Sequence, residues 1–212
     1  MSFDEEKFKQ GAEKVILRCR PGDWEHALSA VAWVKKLGEG RSDLPLLISA
    51  AYIHDIGWRD VWAKDKITFA ELRDLEQLAN DNSHQFAKEF LSNLDYDQTE
   101  IATIIRLIEA ADAHDSKQED EAIVVDADNL SKLSFEHLKN KFDPGDWVEL
   151  CEMWQEELPQ RVKTEKAKAL WPKLLAELKG RVFLELKNYS KWTFCFWEVS
   201  LKLLQTPRSS DL

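Results

Sequence analysis

In the run LPLLISAAYIHDIG (44–57) an otherwise apolar segment closes on His54 and Asp55. An ionised carboxylate in such surroundings is costly unless it is paired or bound to a metal. His54 points about 100° away from its neighbour on a helix, so it cannot be a same-face ion-pair partner. Both side chains can still reach a point between their directions, and a shared metal ion accounts for the two together. Further ligands must then come from other segments. His26, in DWEHALSAVAWV (23–34), is in step with Ala30 and Trp33 on an apolar face, and Asp126 and Asp128 sit in IVVDADNL (123–130). Taken alone, His26 reads as a hydrogen-bonded core residue; together with His54, Asp55 and the DAD segment it reads as a ligand. Periodicity puts Asp126 closer to the apolar face than Asp128 and does not settle which of the two turns inward.

These residues need rigid elements to bring them together. Apolar positions recur at three- and four-residue intervals, the chain holds only 7 Gly and 6 Pro, and no hairpin turn is evident, which predicts an all-α fold. At 212 residues, one domain over 1–212 suffices. Helices are expected over Asp4 to Cys19, from an Asp23 N-cap to Leu37, and from Asp43-Leu-Pro45 to near Gly57. Thr68-Phe-Ala-Glu71 forms a capping box for the next, a separate helix should run from Asn82 or Ser83 to Leu94, and another from Asp97 to Ala113. HDSKQEDE (114–121) reads as a loop, and AIVVDADNLSKL (122–133) as a buried helix. Beyond Asp143-Pro-Gly145 the chain is amphipathic and helical, with Pro159 and Pro172 at starts or kinks. RVFLELKNYSKWTFCFWEVSLKLL (181–204) alternates in places as a strand would, but without partner strands a helix is expected. Of 9 tryptophans, five (Trp147, Trp154, Trp171, Trp192 and Trp197) fall in this region, as core or as the surface of a homodimer.

The net charge of -10 and the absence of a basic run exclude general affinity for nucleic acid or an anionic membrane, although a local site can oppose the global charge. Cys19, Cys151 and Cys195 lack metal spacing and suit reduced thiols in a cytoplasmic protein. MSFDEEKFKQ lacks a cationic start with an apolar stretch, and no window is apolar enough for a membrane span.

The order His26, His54-Asp55 and a late aspartate in an ADxL context resembles the HD superfamily of metal-dependent phosphohydrolases over roughly residues 20–135. Residues 145–212 are then a C-terminal helical packing region. The resemblance implies a helical bundle of the HD-domain type with a divalent ion on His26, His54, Asp55 and the late aspartate. In the family that aspartate precedes one residue and then Leu, as in ADNL, which selects Asp128 with Asp126 as the fallback. His84, in SHQFAKEFLSNL (83–94), and His114, after IIRLIEAADA (104–113), lie where dinuclear branches carry histidines; they would hold a second ion, or line the pocket. His114 departs from the family spacing, standing six residues after Ile108 rather than about three, and Asp112 could take part of its role. His137 fits no pattern and is expected as a surface or interhelical side chain.

Imidazoles and carboxylates without thiolate suit Mn²⁺, Fe²⁺, Ni²⁺ or Mg²⁺ better than a structural zinc. One such ion, or two, would acidify water and polarise phosphorus, so the expected chemistry is hydrolysis of a phosphoester or phosphoanhydride in a small-molecule substrate. His84, His114 or Asp112 would serve as catalytic acid or base. Arg59, in HDIGWRD (54–60), is the nearest cation for substrate phosphates, ahead of Lys64, Lys66 and Lys132, and Trp58 or Trp62 would stack on a base. Branches acting on the stringent-response alarmone resemble HDxxED, and those acting on cyclic dinucleotides place Lys where this chain has Trp58. A small nucleotide or related phosphate remains the best substrate class. The alternatives are an HD-type di-iron oxygenase, using His26, His54, Asp55, His84, His114 and Asp128 together, and a metal-stabilised binding protein without turnover.

Overall fold

Asp4 accepts a hydrogen bond from the Lys7 amide and so starts α1 (Glu5–Ile16), which ends before Pro21 in the computed structural model. The structure describes residues 3–62, 64–94 and 96–204, the side chains of 189–204 excepted. Among these residues every regular element is helical, and Ile67 with Phe142 makes the one isolated bridge.

α2 (Asp23–Leu37) begins one residue earlier in role than expected. Gly22, at φ 80°, stands at the cap position and Asp23 is the first helical residue, its carboxylate turned inward to the Arg20 backbone and side chain. α3 (Leu44–Ile53) also stops sooner than the sequence suggests, with His54 as its C-cap and a 3₁₀ turn over Ile56–Trp58. The reason lies at Gly57. A Cβ there would stand 2.1 Å from the Ala79 carbonyl oxygen, so only glycine lets this turn press against α4 (Phe69–Ser92).

The expected break before Asn82 is absent, and α4 is one continuous helix of 24 residues. No Gly or Pro interrupts it, Ser83 bonds back to the Ala79 carbonyl, and Asn82 reaches the Gly57 carbonyl at 3.5 Å. The predicted capping box of Thr68 with Glu71 is formed, and a second, Asp97 with Glu100, opens α5 (Gln98–Asp112).

α6 (Glu119–Ser131) is the central element: every residue from Glu121 to Ser131 is buried. It packs on α2, α3 and α5, while α4 packs on α5 and on the 3₁₀ turn. The loop before α6 is shorter than predicted, because Glu119 to Glu121 already form its first turn. α7 (Phe135–Lys141) and α8 (Trp147–Arg161, containing Pro159) follow. α9 (Glu165–Leu204) is helical through the segment that alternates in sequence. Trp147 and Trp154 are core residues, and the buried apolar cluster runs from Phe8 to Val182. Trp192, Trp197 and Cys195 lie outside the described side chains; Cys19 and Cys151 are buried free thiols. No described helix is long and apolar enough to cross a membrane.

Candidate metal centre

His26 projects from the first turns of α2, His54 from the end of α3, and Asp128 from the middle of α6. All three are nearly inaccessible, at 3%, 4% and 2% exposure. Their potential ligand atoms lie within 4.8 Å of one another. The Nε2 atoms of His26 and His54 are 3.0 Å apart, and Asp128 Oδ1 is 3.0 Å from the first and 3.3 Å from the second.

The neighbours of the rings determine what these atoms can do. His54 Nδ1 is 2.9 Å from the Ala51 carbonyl oxygen, an acceptor, so the hydrogen of a neutral ring belongs on Nδ1. Ser131 donates its hydroxyl hydrogen to the Asp128 carbonyl at 2.7 Å, which leaves its oxygen to accept from His26 Nδ1 at 3.0 Å. Assigned from this network, both imidazoles are Nδ1–H tautomers with bare Nε2 lone pairs. Two lone pairs and a carboxylate oxygen then face one small space. That arrangement is repulsive unless a cation or a proton occupies it, and the donor set fits a divalent metal ion.

Asp55 stands one step back. Its Oδ2 is 3.8 Å from each Nε2 and is buried without a hydrogen-bond partner, whereas Oδ1 accepts from Arg20 at 2.7 Å. Burial alone would raise the pKa of both Asp55 and Asp128. Arg20 beside the first and Lys132 beside the second outweigh it and hold both carboxyls well below the ordinary range. Burial pulls His26 down to about 4. It acts on His54 too, but Asp55 and Asp128 outweigh it and raise that ring to about 9, so in the metal-free group one proton resides on His54.

Asp126 takes no part. Its carboxylate faces the other side of α6 and accepts from the Lys163 and Thr164 amides at 2.9 and 2.7 Å, tying the entry of α9 to the core. Sequence periodicity could not separate the two aspartates because α6 is buried on all sides.

The group opens into a cavity of about 430 Å³, lined by Arg20, Trp58, Arg73, Lys132, Lys141 and Arg161 among others. Acidic side chains of α8 line it as well. Lys132, one turn after Asp128, lies 2.6 Å from Asp128 Oδ2, and the Arg20 guanidinium stacks on Trp58 at 3.8 Å. Asp112 and His114 line this cavity. Burial raises Asp112 to about 7. His114 stands at φ 52°, the left-handed conformation that ends α5, with Nδ1 unpartnered 4.0 Å from Asp128 Oδ2.

His84 and Arg59 are not brought to the cavity. His84 is an exposed side chain bonded to Glu109 at 2.9 Å, and Arg59 stacks on Phe86 and pairs with Glu89. Lys64 pairs with Glu71 on the surface. His137 takes the interhelical of its two expected placements, buried at 8% exposure with its ring 4.7 Å from that of His26 and lining the cavity. Arg20 and Lys141 carry no sequence signal for this site. The nearest hint is the turn Arg20-Pro-Gly-Asp23, which returns a charged residue to the start of α2. A comparison with family models, curated proteins and solved structures finds no match for the chain.

Proposed function

We propose that the chain is a metal-dependent phosphohydrolase of the HD type, acting on a small nucleotide or a related phosphate ester or anhydride. The observation that carries this reading is the convergence of the His26 and His54 Nε2 atoms and Asp128 Oδ1 within 3.0–3.3 Å beside a cavity whose lining carries both cationic and acidic side chains. His26, His54 and Asp128 would hold the ion, with the unpartnered Asp55 Oδ2 in reserve beside them. A divalent ion there supplies an acidified water and a Lewis acid for a phosphoryl oxygen.

The remaining work falls to the chain's own side chains. Lys132, Lys141 and Arg20 present positive charge to an anionic substrate in a protein whose overall charge is -10. Asp112, raised to about 7, holds a proton near neutral pH and can release it to a leaving oxygen. Trp58 offers an aromatic wall, with Arg20 already on one face. The position of His84 on the surface removes one residue from the six-ligand set that the di-iron alternative requires.

The test is elemental analysis of protein purified without chelator, with His54→Ala alongside, followed by phosphate release from a nucleotide panel. Metal retained by the wild type and lost in the variant, together with release from at least one substrate, is the expected result. Protein that takes up no divalent metal on reconstitution sinks the reading.

A further inference from the structure

Arg20, Asp23, Asp55 and Lys141 form a buried quartet of alternating charge beside the candidate ligands. Arg20, Asp23 and Lys141 are 6%, 0% and 3% exposed. They come from the turn before α2, the first residue of α2 and the last residue of α7, segments with no metal motif. Each carboxylate faces both cations. Asp23 Oδ2 accepts from Arg20 Nε at 3.0 Å, and its Oδ1 lies 2.5 Å from Lys141 Nζ. Asp55 Oδ1 accepts from Arg20 Nη2 at 2.7 Å, but its Oδ2 is 3.6 Å from Lys141.

That last distance matters. Asp55 Oδ2 is the atom that faces the two imidazoles, and a lysine drawn onto it would place a positive charge where a divalent cation must approach. Lys141 is held closer to Asp23 than to Asp55. Asp23 also lies one turn before His26 on α2, so a single helix presents both a ligand and the carboxylate that restrains the competing cation.

We propose that Asp23 is a positioning residue for the metal centre: it engages Lys141 and Arg20 so that Asp55 Oδ2 stays available to the ion. This rests on the metal reading above. A buried lysine deprived of Asp23 has Asp55 as the carboxylate within its reach, and in a low-dielectric interior it closes on that oxygen. Asp23→Asn therefore weakens metal binding although residue 23 touches no ligand atom. Lys141→Met has the opposite sign, because it removes the competitor and leaves Asp23 paired with Arg20. A purely structural quartet would behave differently, since breaking it from either side would loosen the site in the same direction.

The experiment is a calorimetric Mn²⁺ titration, near neutral pH, of metal-free wild type, Asp23→Asn, Lys141→Met and the double variant, with circular dichroism to establish folding. Asp23→Asn is expected to bind about tenfold more weakly, in the range for residues that orient ligands. Lys141→Met should bind at least as tightly as the wild type, and the double variant should return toward the wild-type affinity. If Asp23→Asn alone does not fold, the comparison of Lys141→Met with the double variant carries the test: adding Asp23→Asn there should cost little. Equal weakening in both single variants, additivity in the double, or an unchanged Asp23→Asn overturns the inference while leaving the metal reading intact. A wild type that binds no Mn²⁺ overturns both.

Discussion

The Nε2 atoms of His26 and His54 lie 3.0 Å apart, and each ring has its other nitrogen beside a group that accepts its hydrogen. Such a pair cannot stay both neutral and empty without repulsion. Removing one imbalanced partner should therefore cost the ion rather than the fold. For His54→Ala we expect loss of bound divalent metal by elemental analysis and loss of phosphate release, with helical circular dichroism retained. Metal-free His54→Ala should lie within about 3 kcal/mol of the metal-free wild type in urea unfolding. Retention of a full complement of metal would show that His54 is not a ligand.

The same pair fixes a pH dependence for the metal-free protein. His54 is raised to about 9, so its protonation contributes stability that is fully present below its ordinary 6.5 and lost as pH rises through 9. His26 is lowered to about 4, so its neutral form contributes stability that is present above 6.5 and lost as pH falls through 4. Relative to metal-free His54→Ala, chelator-treated wild type should accordingly show a melting-temperature advantage that is full at and below pH 6.5 and is lost as pH rises through 9. Added metal must displace the His54 proton, so the stabilisation by Ni²⁺ should grow between pH 6.5 and 8.5. A metal-induced shift that shrinks over that interval would contradict the proton's place in this site.

Two aspartates two residues apart on α6 have separate duties. Asp128 Oδ1 faces the imidazoles, whereas Asp126 binds two backbone amides at the start of α9. Asp126→Asn should keep its metal and lose about 1–3 kcal/mol of stability, since an amide side chain can accept at one of those amides but not both. Asp128→Asn should do the reverse, losing metal with a smaller change in metal-free stability. Urea denaturation and metal analysis on the two variants would separate them, and the opposite pattern would reinstate Asp126.

Much of this arrangement is legible in the residues. Polar residues standing in apolar segments, where burial demands a partner, point to His26, His54 and one of two α6 aspartates, and it is the ADNL resemblance that selects Asp128 over Asp126. Capping boxes at Thr68 and Asp97 are local patterns, and the structure forms both. The remaining features are set by non-local contacts. The early end of α3 depends on Gly57 meeting the Ala79 carbonyl across space, and nothing near residue 57 encodes that neighbour. The cations of the cavity come from a turn, from α4 and from the ends of three helices, each unremarkable in its own window. Arg59 is a candidate for its closeness in sequence to the motif and His84 for its likeness to histidines of dinuclear branches, but their side chains pair with Glu89 and Glu109 instead.

Gly57 offers a direct check on that non-local contact. Alanine there would bring a methyl group to 2.1 Å from the Ala79 carbonyl and 2.4 Å from Ser83 Oγ, so the 3₁₀ turn or α4 must shift. We expect Gly57→Ala to lose about 2–3 kcal/mol in urea unfolding, the upper part of the range for overpacked sites. Because Asp55 lies two residues before it and Trp58 directly after, metal affinity should fall as well. A variant as stable as the wild type would mean that the turn relaxes freely.

His114 combines a site position with backbone strain, and the two should come apart on substitution. It occupies φ 52° at the end of α5, where glycine is at ease and a side chain with a Cβ costs about 1–2 kcal/mol. Its imidazole has an unpartnered Nδ1 in the cavity near Asp128. His114→Gly should relieve the strain and raise stability by about 0.5–1 kcal/mol, the unfolded chain's added freedom taking back part of the gain. Turnover should fall in the same variant if the imidazole contacts substrate. His114→Asn, which also tolerates this conformation, separates the effects: it should keep most of the backbone relief and regain activity only where a neutral hydrogen-bonding side chain suffices. Thermal unfolding and phosphate release measured on the same preparations decide it, and a His114→Gly protein that is less stable than the wild type would show that the ring is held for packing rather than for chemistry.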